Sequence, residues 1–121
     1  MAARLPALKR VYDPPEDGDG TRILVDRLWP RGLAKEKARV DFWLREIAPS
    51  DALRKRFHGH PERWAEFCRA YDVELESEKT QAASQELRAH LRRGKATLLF
   101  AARDERHNNA VALLKWLKRK G

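Results

Sequence analysis

Two short runs of this chain, Ile23-Leu24-Val25 and Thr97-Leu98-Leu99-Phe100-Ala101-Ala102, are almost wholly apolar at consecutive positions. Side chains alternate between the two faces of a strand, so a strand built from either run has no polar face to turn to water. Runs of this kind fit strands covered on both sides, as in α/β sheets. The long stretch between them reads as helical. Strands joined by helical crossovers imply a mostly parallel sheet with right-handed connections. The expected fold is therefore α/β, a small mostly parallel sheet flanked by helices in a three-layer arrangement. A weaker third strand is expected over residues 8–12. There Leu8, Arg10 and Tyr12 alternate with Lys9 and Val11, which suits an edge. Residues 13–20, DPPEDGDG, hold two prolines, two glycines and four acids, and read as a loop.

The helical stretch has its own punctuation. Asp41 and Ser50 are expected N-caps of short helices carrying Trp43, Leu44 and Ile47, then Leu53 and Phe57, with Pro49 between them. Pro61 fits the first turn of a longer helix. In it Trp64, Phe67, Cys68, Tyr71 and Leu75 make one apolar stripe. Thr80 is expected to cap the next helix, whose Ala83, Leu87 and Leu91 face the core and which Gly94 ends. A last helix follows Asp104, with Ala110, Leu113, Leu114 and Leu117 inward and Lys115, Lys118, Arg119 and Lys120 outward. Trp64, Phe67, Tyr71, Leu24, Leu99, Leu114 and Leu117 are expected to share one core.

A chain of 121 residues fits one domain, spanning 1–121. It is 42% hydrophobic and 36% charged, a globular composition with a charged surface. Its single cysteine, Cys68, permits no internal disulfide and suits a reducing compartment. No apolar stretch approaches the length of a membrane span. The first eight residues lack the apolar core of a signal peptide. A cytoplasmic location away from membranes is expected. The formal net charge of +8 favours anionic partners.

In open α/β sheets, ligands bind beyond the carboxyl ends of the strands. Two segments stand there. In DRLWPRG, residues 26–32, Arg27 and Arg31 offer forked donors for phosphate or carboxylate. Asp26 is costly at a buried strand tip unless paired. Trp29 is held extended before Pro30, and Gly32 permits a turn. In RDERHNN, residues 103–109, Arg103 leaves the second strand, Asp104 can cap the following helix, and Asn108 and Asn109 fall in its first turn. A helix N-terminus favours an anion. Each segment also has a plain structural reading, as an ion pair fastening a strand end and as ordinary capping.

The order KRVY (residues 9–12), RILVDRLWPRGL (22–33), APS (48–50), LRKRFHGHPERWAEF (53–67) and TLLFAARDERHNNAVAL (97–113) resembles the YeaO-like family, small bacterial proteins classed as a domain of unknown function. The resemblance implies no particular activity. A wider group of longer relatives carries a Cys-x-Glu and Cys-His-Arg pattern at the second strand end. The corresponding positions here hold Phe100, Ala102, Asn108, Asn109 and Ala110. That argues against a cysteine-based or metal-based reaction.

His58 and His60, in FHGHP, lack a Cys or acid spaced to complete a metal site. His58 could instead reach the strand-end pocket as a general base. With Asp26 and Asp104 it completes the candidate acid–base groups. No cofactor is implied. The expected function is binding of a small anionic ligand on Arg27, Arg31 and Arg103, with Trp29, Gly32, Asn108 and Asn109 around it, with or without a reaction. The alternatives are a nucleic-acid or nucleotide-binding module using general positive charge, weak and non-specific, and an interaction domain whose pocket is structural.

Overall fold

The computed structural model describes residues 4–120. Four strands, β1 (Ala7–Arg10), β2 (Thr21–Leu24), β3 (Phe42–Trp43) and β4 (Ala96–Phe100), form one sheet in the order β1-β4-β2-β3, every neighbouring pair parallel. The two strands with continuous apolar runs take the centre. β4 is buried at every position. β1, half-exposed along much of its length, is an edge as expected, but it runs over Ala7–Arg10 without alternating burial, and Val11 and Tyr12 lie in a turn. Between β1 and β2, Gly20 adopts a positive φ of 67°. A Cβ there would lie 2.3 Å from the Lys95 carbonyl oxygen. That close approach lets the Thr21 N–H donate to the same oxygen at 3.0 Å.

β3 is a departure from the sequence reading. Asp41 caps no helix. Its carboxylate accepts from the Arg22 N–H at 2.8 Å and sets Phe42 and Trp43 beside Ile23 and Leu24. Two residues are too few for strand alternation to show. The 3-10 turn Arg45–Ile47 that follows supplies the helical spacing of Trp43, Leu44 and Ile47.

The helices are α1 (Lys35–Ala38), α2 (Asp51–Phe57), α3 (Trp64–Leu75), α4 (Glu78–Arg93) and α5 (Asn109–Lys120). Ser50 caps α2, its Oγ accepting from the Leu53 N–H at 3.1 Å. Pro61 opens a 3-10 turn, Pro61–Arg63, that leads into α3. Two expected caps move. Thr80 lies inside α4 and is buried, and Ser77 takes the N-cap position. Asn108, not Asp104, caps α5, with Oδ1 accepting from the Val111 N–H at 3.0 Å. No helix among the described residues is long and apolar enough to cross a membrane.

The sheet divides the apolar interior in two. Ile23, Val25, Leu98 and Phe100 pack with Tyr71, Leu87, Leu113, Trp116 and Leu117 from the longer helices. Val11, Leu24 and Leu99 lie in the second cluster, under Trp29, Leu33, Val40 and Trp43. The β2–β3 connection, with its single-turn α1, thus makes the thinner outer layer. Strand alternation separates Leu24 and Leu99 from the α3 and α5 residues expected beside them. On α5, Trp116 is buried where Leu114 was expected, and Leu114 is half-buried.

Trp64 and Phe67 pack against the first cluster without being sealed in it, because they border a cleft. Phe67→Ala should therefore cost less than the roughly 3–5 kcal/mol of a fully buried phenylalanine. A loss below about 3 kcal/mol is expected in urea unfolding. A larger loss would place the ring inside the sealed core.

Candidate functional site

β2 and β4 end side by side, with the Val25 N–H donating to the Leu99 carbonyl at 3.2 Å. The segments that leave them emerge on one edge of the sheet, at the carboxyl ends of the strands, where a cleft of about 670 Å³ opens. Residues 26–31 form one wall. Phe57, His58, His60, Trp64 and Phe67, from the α2–α3 junction, form the other. Ala101, Ala102, Asp104, His107, Asn108 and Asn109 close it from the β4–α5 loop.

Asp26 holds the floor together. Its Oδ2 accepts from the Ala101 N–H at 2.9 Å and its Oδ1 from Asn109 Nδ2 at 3.0 Å, tying the end of β2 to the end of β4 and the start of α5. Its backbone carbonyl accepts from Trp43 Nε1 at 2.7 Å. Burial pushes the Asp26 carboxyl above the usual carboxylate range, against the opposing pull of Asn109, Ala101 and the nearby Arg54 charge.

The candidates divide into groups that face the cleft free and groups tied into the fold. Arg27 is tied: its guanidinium donates to the Pro49 and Ala48 carbonyls at 3.2 and 3.1 Å. Asn109 donates to the Val25 carbonyl and to Asp26 through one amide nitrogen. Asn108 is buried, capping α5 and donating to the Asp104 carbonyl at 2.9 Å. Trp29 donates from Nε1 to the Leu33 carbonyl at 2.8 Å, which fixes its ring in the wall. Arg31 is exposed on the rim, its carbonyl accepting from the Tyr12 hydroxyl at 2.8 Å. Gly32 has a φ of 74° and makes the turn beyond the wall without lining the cleft.

The β4–α5 loop closes on Asp104. Its Oδ1 accepts from the Arg106 and His107 N–H groups at 2.9 and 3.1 Å, and its Oδ2 lies 3.0 Å from His107 Nδ1. The bond from Arg106 and those from His107 hold the Asp104 carboxyl below the usual carboxylate range. This turn brings Asp104, His107, Asn108 and Asn109 to the cleft and leaves Arg103 exposed outside its lining. His58 reaches the wall, and His60 pairs with Glu62 at 3.1 Å. Among the described residues, no three His, Cys, Asp or Glu side chains gather as a metal requires. Cys68 lies outside the lining, its thiol pushed up by burial.

Arg54, His107 and the aromatic wall escaped the sequence reading. Trp64 and Phe67 stack with ring centroids 5.6 Å apart, Phe57 meets Phe67 edge-on at 5.8 Å, and His107 meets Trp64 edge-on at 5.2 Å. Arg54 could have been placed from sequence. It stands three residues before Phe57, on the same side of α2.

A family model described as the inactive DUF488-N3 subclade matches residues 7–120. The "Uncharacterized protein YeaO" of Escherichia coli K12 is 44% identical over 110 residues, 91% of this chain and 94% of that protein. The "Uncharacterized protein Rv3073c" of Mycobacterium tuberculosis H37Rv is 40% identical over 108 residues, 89% of each chain. The "Uncharacterized protein Mb3100c" of Mycobacterium bovis matches to the same extent. No solved structure matches the chain.

Proposed function

Because the chain belongs to the inactive DUF488-N3 subclade, alongside YeaO-like relatives, we propose that it binds a small phosphate- or carboxylate-bearing ligand in the strand-end cleft without transforming it. The observation that carries this reading is the pair of exposed guanidiniums, Arg31 and Arg54, on the rim of an otherwise largely apolar cleft. A concave apolar site with a few convergent polar groups is the usual form of a small-molecule site. Arg31 has the freer guanidinium. Arg54 makes one bond, to Asp51 at 3.1 Å across an exposed surface, and can exchange it for a ligand at little cost. The description of the family as inactive supports binding over turnover. So does the position of the chain's one thiol, on α3 away from the cleft. A cytoplasmic setting suits that single unpaired cysteine.

General charge makes a weaker case for nucleic acid. Of the cations on the outward side of α5, Arg119 pairs with Asp72 and Lys120 with Glu76, both on or just after α3.

Phosphate should raise the melting temperature beyond the effect of chloride at equal ionic strength, because a ligand that binds the folded state stabilises it. Arg31→Ala and Arg54→Ala should each lose that increment. Arg103→Ala, outside the lining, should keep it. If every variant responds to phosphate as wild type does, these arginines are structural or merely solvated and the reading fails.

A further inference from the structure

The cleft is not uniformly cationic, and its polarity is divided. Arg31 and Arg54 are exposed in the lining, which also holds two carboxylates: Asp26, half-buried, and Asp104, exposed and closed into its own turn by the Arg106 and His107 N–H groups. Each Asp26 oxygen accepts one protein hydrogen bond, from Ala101 or Asn109. A carboxylate offers about four acceptor sites, so Asp26 retains capacity for a ligand donor. It also repels an anion placed against it. An inorganic anion on Arg31 and Arg54 makes no use of the aromatic part of the lining. The space between floor and rim is aromatic. Trp64 and Phe67 stack on each other at an interplanar angle of 21°, Lys115 Nζ lies 5.6 Å from the Trp64 centroid, and both rings remain only partly buried, so what they offer the cleft is their uncovered ring surface. Trp29, held by its bond to Leu33, stands on the other wall. Aliphatic side chains would enclose any apolar body, whereas fixed ring faces favour a planar one.

A ligand that satisfies all three regions carries a planar ring, an N–H or O–H donor and an anionic group. We propose that the cleft takes a free nucleoside monophosphate, with its base against Trp64 and Phe67, a base or sugar donor on Asp26, and its phosphate on Arg31 and Arg54. A cleft of about 670 Å³ is of the size that small-molecule sites occupy. This inference rests on the reading of the cleft as an anion site and narrows it to one ligand class.

Calorimetric titration of the full chain with AMP, GMP, CMP and UMP tests it, with adenosine, inorganic phosphate and a 5′-phosphorylated tetranucleotide as comparisons. At least one monophosphate should bind about tenfold or more tightly than inorganic phosphate, the low end of what stacking on an aromatic side chain contributes. Adenosine should bind more weakly than AMP, and the tetranucleotide no more tightly than the best monophosphate. Trp64→Leu should erase the margin over inorganic phosphate and leave phosphate binding itself unchanged. Arg31→Ala should weaken both. If Trp64→Leu does not fold, Phe67→Leu serves the same comparison. Monophosphates that bind no more tightly than inorganic phosphate overturn the nucleotide inference and leave the anion site standing. A tetranucleotide that binds more than about tenfold tighter than any monophosphate overturns it in favour of a nucleic-acid end. If neither phosphate nor any nucleotide binds, the anion site falls with it.

Discussion

Asp19→Ala is expected to destabilise the protein by about 3–5 kcal/mol at neutral pH, the loss typical of breaking a buried ion pair by removing one partner. Arg22, on β2, is 4% exposed. Its guanidinium donates to Asp19 and to the Ala38 and Arg39 carbonyls, at the end of α1. Asp19 also accepts from Lys9 on β1 at 3.2 Å and from the Glu16 N–H at 3.0 Å. One carboxylate thus joins β1, the 13–20 loop and β2 at the end of the sheet away from the cleft, and Arg22 carries the link on to the end of α1. Without it, the Arg22 charge stays buried and loses its counterion. Burial works against the charged form of Asp19, but the bonds from Glu16, Lys9 and Arg22 outweigh it and hold the carboxyl below the usual carboxylate range. The sign of the pH dependence follows. A lowered folded-state pKa contributes stability above the unfolded value, about 3.9 for Asp, and loses it as pH falls through the folded value. The gap between wild type and Asp19→Ala should be widest at neutral pH and should narrow in acid. Glu16→Ala, which removes a largely exposed partner of Lys9, should change stability little. An Asp19→Ala protein as stable as wild type in urea would mean that water replaces the carboxylate at Arg22.

The sheet was legible in sequence because β2 and β4 are covered on both faces. Ile23, Leu24, Val25 and Leu98, Leu99 and Phe100 therefore had to be apolar without interruption. β3 was not legible, since its place depends on Asp41 meeting the Arg22 N–H, a contact across 19 positions of chain. The cleft was legible as a location, because parallel topology brings the ends of β2 and β4 together whatever the side chains do there. Its composition was not. Arg27 and Arg31 look alike in DRLWPRG, yet the carbonyls of Ala48 and Pro49 take Arg27 and leave Arg31 exposed. Those carbonyls belong to residues 21 and 22 positions further along the chain, a pairing that a sequence does not display. Arg103 looked like a third cation of the site, but the turn closed by Asp104 leaves it outside. Trp64 and Phe67 read as core by periodicity. Helical spacing identifies an apolar stripe and cannot say whether a neighbour covers it or a cleft opens beside it.

Asp26→Ala is expected to cost about 2–4 kcal/mol, from two hydrogen bonds to a charged acceptor lost together. It leaves the Ala101 N–H and one donor of Asn109 facing the cleft, where water can partly replace the carboxylate. That access keeps the loss below the sum for two sealed bonds. Asp26→Asn retains one acceptor and should fall between the two proteins. Asp26 and Asp19 should respond to pH in opposite directions. Burial raises the Asp26 carboxyl above the usual range, so the folded chain binds its proton more readily than the unfolded one. In the window between the unfolded value, about 3.9, and the raised folded value, stability from this group falls as pH rises. The penalty of Asp26→Ala should accordingly be larger in mild acid than at neutral pH, the reverse of Asp19→Ala. Urea unfolding of both variants at a series of pH values reads the two trends side by side. Parallel trends would show that Asp26 is held by its hydrogen bonds more strongly than it is penalised by burial. A carboxylate comfortable without further partners would then have no need of a ligand donor at the cleft floor.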